Sequence, residues 1–266
     1  MEPDAFETLR WSLEDGVGRL VLDRPEKHNA LSETVLSELT AAFEAFERRD
    51  RAADGLAVRV VVVEGAGDEA FSAGADISEF GDHGYPHVDA TWWDAFETMA
   101  DYGAPVVAKI DGYCLGGGVE LALTFDFRIA SARSTFGFPE VDIGMFPTGG
   151  GTQRLPRVVG RDRAKELLMT GERIDAETAE ADGLLTAVHP TGSFDDEVAE
   201  FVDTLASKPP LALRAVKETV DKTAELNLSE GLDFERRTAV PVYESADYAE
   251  GLAAWDEDRE PNWEGR

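Results

Sequence analysis

The sequence predicts an α/β fold with one sizeable core, followed by a helical C-terminal extension. Three observations carry this. Short apolar runs that read as buried strands alternate with amphipathic helical stretches, helical patterning dominates after about Asp195, and 43% of the 266 residues are hydrophobic despite a formal charge of −29. A chain of this length fits one main domain with an extension.

Taken in order, Gly18 to Leu22 reads as a strand. Leu31 to Arg48 reads as a helix, because Leu36, Leu39, Phe43 and Phe46 recur at helical spacing. Val58 to Val63 reads as a buried strand, followed by a loop of small residues, Phe71-Ser72-Ala73-Gly74-Ala75-Asp76-Ile77. Gly103-Ala104-Pro105 breaks any preceding helix, Val106 to Ile110 is a short buried strand, and Asp111-Gly112 is its exit. Gly116 to Gly118 then open a helix carrying Glu120, and Phe127 to Ala130 is a further strand. In the last quarter, Pro209-Pro210 and Pro241 interrupt the helical pattern.

The chemistry lies in two glutamates. Glu120 follows the Gly116-Gly117-Gly118 turn, and Glu140 follows Phe138-Pro139. Carboxylates beside free backbone N–H donors are what proton transfer next to a carbonyl requires. The N–H of Gly117, at a helix start, is a candidate donor, and the small-residue loop can present a second from Ala75. Taken singly, a glutamate after a glycine turn is more often a solvated first-turn residue.

The ordered motifs resemble the crotonase family, the enoyl-CoA hydratases and isomerases. They run from Leu22-Asp23-Arg24-Pro25 with Asn29-Ala30-Leu31, through Ala73-Gly74-Ala75-Asp76 and Gly112-Tyr113-Cys114-Leu115-Gly116-Gly117-Gly118, to Gly150-Gly151-Thr152-Gln153-Arg154-Leu155-Pro156. The ending, Glu250 to Trp255 with Arg259 and Pro261-Asn262-Trp263, is similar to the family's C-terminal helix and tail. The resemblance implies a spiral of repeated ββα units over residues 1–194 and a helical trimerisation region over 195–266, giving a homotrimer or a dimer of trimers. It implies that the Ala75 and Gly117 N–H groups form an oxyanion hole for a CoA thioester carbonyl. Glu120 would then activate water and Glu140 deliver the proton at Cα in the hydration of a 2-enoyl-CoA. The coenzyme A is part of the substrate, and no bound cofactor is implied. Candidate CoA contacts are Arg24, Ala73, Asp76, Ile77 and Arg259. Candidate acyl-pocket residues are Trp92, Trp93 and Met145, with Tyr85 and Phe96 in the same aromatic segment.

Two departures keep other readings open. Thr148 stands where many hydratases have glycine, so an isomerase, decarboxylase or thioester hydrolase of the same family is an alternative. Asp258 and Glu260 stand where relatives often carry lysines that approach CoA phosphates. A noncatalytic acyl-CoA- or RNA-binding member is a third reading, disfavoured by the acidic surface and the intact glutamate pair.

Composition limits partners. With 54 acidic and 25 basic residues, of which 19 are Arg and 6 Lys, the surface repels nucleic acid and anionic lipid. The balance suggests adaptation to high salt, where screening acts over ~3 Å at 1 M. The single Cys114 forms no intramolecular disulfide, and no apolar run approaches ~18 residues, which together suit the cytoplasm and no membrane. No metal site is expected: His83 and His87 are four apart, but Gly84 and Pro86 disfavour the helix that would align them.

Overall fold

The structure, a computed structural model, describes residues 6–79 and 90–266. It opens with a hairpin of β1 (Leu9–Glu14) and β2 (Val17–Leu22), paired antiparallel. Asp15 and Gly16 join the strands with φ of 51° and 81°, the double left-handed geometry of a tight hairpin turn. The next helix is α1 (Glu33–Ala52), two residues later at its start and four later at its end than the apolar spacing alone marks. Its start is fixed by Ser32, whose hydroxyl accepts the Val35 N–H at 3.2 Å.

A repeat follows. The pairs β3 (Val60–Gly65) with β4 (Ala70–Ser72), β5 (Val106–Ile110) with β6 (Tyr113–Leu115), and β7 (Phe127–Ser131) with β8 (Thr135–Gly137) each give one strand to each of two sheets. Each pair leads into a helix: α2 (Ala90–Ala100), α3 (Gly117–Ala122) and α4 (Gly151–Val158). Then come α5 (Arg161–Thr170), β9 (Arg173–Asp175), α6 (Ala176–Ala181) and β10 (Ala187–His189). The larger sheet has the order β1-β2-β3-β5-β7-β10 and is parallel from β2 onward; the smaller has the order β4-β6-β8-β9, with β9 antiparallel. This is the ββα spiral.

Parallel strands buried on both faces read as continuous apolar runs, and β3 shows why. Val61 and Val63 join α1's Leu36, Leu39 and Phe43 in the main core, while Val60 and Val62 face Phe194, Val198 and Val202 of α7 (Phe194–Ala206). The division at residues 194 and 195 therefore falls within the first turn of a helix that covers the sheet. The helices that leave the sheet are α8 (Pro210–Asp221), α9 (Leu228–Tyr243) and α10 (Ala246–Glu257).

The prolines sit differently from the sequence expectation. Pro209 and Pro210 begin α8, where a missing N–H costs nothing, and α9 continues past Pro241 to Tyr243. These last helices expose large apolar side chains, including Val216, Leu228, Tyr243, Leu252 and Trp255. Among the described residues no helix is long and apolar enough to cross a membrane.

Candidate active site

The small sheet builds the site at the C-terminal ends of two neighbouring parallel strands. After β4, the chain makes an isolated parallel bridge: Leu31 N–H donates to the Gly74 carbonyl at 2.7 Å, and Asp76 N–H to the Leu31 carbonyl at 2.9 Å. A parallel bridge uses the groups on either side of the central residue, so the Ala75 N–H faces the other way, unpaired among the described residues. After β6, Gly116 N–H is used by the Gly137 carbonyl at 2.8 Å, and Gly117, as the first residue of α3, has no intrahelical acceptor.

The two donors are close. A Cβ built on Gly117 would lie 3.4 Å from the Ala75 nitrogen, and one on Gly74 would lie 3.1 Å from the Gly117 nitrogen. Helix α3 reaches this place because Gly118 packs its backbone against β4: a Cβ there would stand 2.4 Å from the Ser72 carbonyl oxygen.

Glu120, one turn into α3, is 3% exposed. Its Oε1 accepts the Gly151 N–H at 2.8 Å, and the Gly149 N–H assists. Burial pushes its carboxyl up to about 7, the neighbouring Glu140 pushes the same way, and the two N–H donors and Arg154 oppose them. Glu140 is also raised by burial, and its Oε2 is buried without a hydrogen-bond partner. Its Oε1 reaches toward α3, 3.0 Å from where a Gly116 Cβ would be.

The raised Glu120 value makes a stability prediction. An ordinary glutamate titrates near 4.5, so the native state holds this proton more tightly than the unfolded chain. Stability contributed by the neutral form is present below about 4.5 and is lost as pH rises through about 7. Glu120→Gln is therefore expected to be more stable than the native protein at pH 8 by on the order of 2–3 kcal/mol, with no gain at pH 4. Urea unfolding of both proteins at the two pH values checks this.

Both carboxylates and both donors line one cavity of about 540 Å³. Of the sequence-predicted residues, Ala73, Asp76, Ile77, Trp92 and Met145 line it as well. Trp93, Arg24 and Arg259 do not. Trp93 donates its indole N–H to the Thr148 carbonyl at 2.9 Å, tying α2 to the turn before α4. Arg24 is turned inward, giving one N–H to the Ala30 carbonyl and another to Asp76, both at 2.8 Å. Asp76 also accepts from the Ser78 hydroxyl and N–H, and these contacts hold its carboxyl below the usual range. The Arg24–Asp76 pair, 18% and 6% exposed, thus braces the strand that presents Ala75. Arg259 is held by Glu250 and Glu257, both on α10. Phe96 is buried behind Trp92, with ring centroids 5.6 Å apart. Tyr85, His83 and His87 lie outside the described residues, among which no cluster of His, Cys, Asp and Glu could hold a metal.

Three features escaped the sequence reading. Lys27 lines the cavity and is a cation there that Arg24 is not. Ile143 and Phe146, both about 60% exposed, give it an apolar rim. The third is the use of the 149–151 glycines as a carboxylate clamp; the glycine run was visible, but nothing in it named Glu120 as the acceptor.

One buried carboxyl group, a half-buried one beside it and two backbone N–H groups thus line a single cavity on a ββα spiral of the crotonase fold. The sequence profile described as enoyl-CoA hydratase/isomerase matches residues 12–266, and the chain belongs to that family of enzymes. It is 38% identical over 265 residues to "Probable enoyl-CoA hydratase" of Rhizobium meliloti (strain 1021), covering 98% of this chain and 100% of the relative. It is 37% identical over 272 residues to "Enoyl-CoA isomerase/hydratase fer4" of Mycosarcoma maydis, covering 100% and 97%. The crystal structure of an enoyl-CoA hydratase from Bacillus anthracis superposes with a TM-score of 0.90 at 34% identity, covering 98% of this chain and 100% of that one.

Proposed function

We propose that the chain adds water to a 2-enoyl-CoA, giving a 3-hydroxyacyl-CoA. The observation that carries this reading is the convergence of Glu120, Glu140 and the Ala75 and Gly117 N–H groups on one cavity. The two N–H groups receive the thioester oxygen and stabilise the negative charge that develops there. Ionised Glu120 takes a proton from water as its oxygen bonds to Cβ. The π electrons move into the enolate, and neutral Glu140 supplies the proton that forms the Cα–H bond. Glu120 then holds the proton taken from water and Glu140 is ionised, and transfer of that proton from Glu120 to Glu140 resets the pair.

The adenosine phosphates of CoA need a cation on an otherwise acidic protein, and the position of Lys27 at the cavity supports that role. Trp92 and Met145 line the same cavity, which supports their place beside the acyl group. No cofactor is required beyond the CoA that the substrate brings. The exposed apolar residues of α8 to α10 suit a homotrimer or a dimer of trimers, and the composition suits the cytoplasm of a cell that keeps high internal salt. On the last point, the melting temperature is expected to rise with KCl from 0.1 to 2 M; a flat or falling curve would remove salt adaptation.

The test of the reaction is loss of the conjugated-thioester absorbance of crotonyl-CoA in molar KCl, with the product identified by mass. Formation of 3-hydroxybutyryl-CoA supports hydration. A folded protein that leaves crotonyl-CoA untouched but moves the double bond of a 3-enoyl-CoA would overturn it in favour of isomerisation, which needs the same donors without added water.

A further inference from the structure

We infer that Arg154 is a positioning residue for Glu120: its guanidinium fixes the 149–151 turn whose N–H groups grip that carboxylate. The inference rests on the reading of Glu120 as the proton acceptor.

Arg154 sits in the first turn of α4, where a cation opposes the helix macrodipole, so its place does not serve the helix. The side chain doubles back instead. Nη1 donates to the Gly149 carbonyl at 3.0 Å, and the guanidinium lies directly over Gly150, where a Cβ would come within 2.0 Å of Nη1. Gly150 has φ of +106°, so both the conformation and the space belong to glycine. The same turn presses on the carboxylate from the other side: Cβ atoms on Gly149 and Gly151 would each lie 3.0 Å from a Glu120 oxygen. Backbone thus separates one guanidinium from one carboxylate, and the peptide groups between them point N–H toward the acid and C=O toward the base.

The charges around the pair are few. Glu140 and Arg154 face Glu120, while Glu120, Glu97 and Asp101 face Arg154. Arg154 is the cation in that set, and its charge favours the ionised Glu120 that water activation uses.

The test has one arm that needs no turnover. In ligand-free protein carrying 13C-labelled glutamate carboxyls, the Glu120 resonance is assigned by its loss in E120Q and titrated in the native protein, R154M, R154Q and R154K. R154M and R154Q are expected to raise the Glu120 midpoint by on the order of one unit, with R154K restoring most of the shift. With crotonyl-CoA, kcat/KM of R154M at pH 7 is expected to fall roughly tenfold and to recover toward the native value at pH 9, as a displaced acid limb requires. A purely structural arginine would lower activity equally at every pH. A native Glu120 midpoint in folded R154M or R154Q overturns the inference, whatever the enzyme's reaction; absence of native turnover alone would overturn only the hydration reading.

Discussion

Glu120→Gln and Glu140→Gln are each expected to lower kcat for crotonyl-CoA hydration by roughly 10²–10⁴-fold, the range over which positioned acids and bases act. The substitutions are nearly isosteric, and in the Glu120→Gln variant the new amide oxygen can still accept the Gly151 N–H that Oε1 now receives at 2.8 Å. The cavity, the N–H pair and the fold persist, so KM should change little, which separates loss of proton transfer from loss of binding. The double variant should be little slower than either single one, because the two groups act as one proton-handling unit. Stopped-flow absorbance on all three proteins checks this. A single variant that retains half of the native kcat would remove that glutamate from the reaction.

Gly74→Ala is expected to lower kcat/KM by about 100-fold or more without touching either carboxylate. Gly74 has φ of +96°, and its Cβ would meet the Leu115 carbonyl oxygen at 2.8 Å and the Gly117 nitrogen at 3.1 Å. The added methyl strains the strand that presents Ala75 and stands against one of the two donors. A suitable control is Gly192→Ala, where the new Cβ has nothing within 4 Å and activity should be unchanged. Far-ultraviolet circular dichroism separates a disturbed oxyanion site from an unfolded chain. If G74A is folded and fully active, the thioester carbonyl is not held between these two N–H groups.

Much of this was legible in the sequence because buried parallel strands and amphipathic helices are written in plain apolar periods. Val106 to Ile110 and the α1 face of Leu36, Leu39, Phe43 and Phe46 needed no tertiary information. What escaped was short or non-local. The three-residue strands β4, β6 and β8 carry too few side chains to show a period, although they hold the site. The β1 hairpin was signalled only by Asp15-Gly16, a strong two-residue turn motif. The α8 boundary was hidden because Pro209-Pro210 reads equally as a break and as a helix start. Arg24 shows a different limit. Its charge was visible and its partner was not, since Asp76 lies 52 residues away and meets it only when Leu31 bridges Ala75. A guanidinium already braced against a buried carboxylate has little left for a phosphate, and Lys27, three residues on, is the free end of the same turn.

The adjacency of β4 and β6 has a consequence for how this chain can change. Ala75 and Gly117 follow neighbouring parallel strands, whose spacing of roughly 4.8 Å is a property of all sheets. The gap between the two donors is inherited from the hydrogen-bond ladder, with the Arg24–Asp76 pair bracing the side that presents Ala75. Substitution can therefore redraw the cavity wall, move a carboxylate or delete it, and the same two N–H groups remain at its floor. On the proposed reading, polarisation is the permanent asset of this architecture, and the choice of what to do with the polarised thioester is left to residues as replaceable as Glu120 and Glu140.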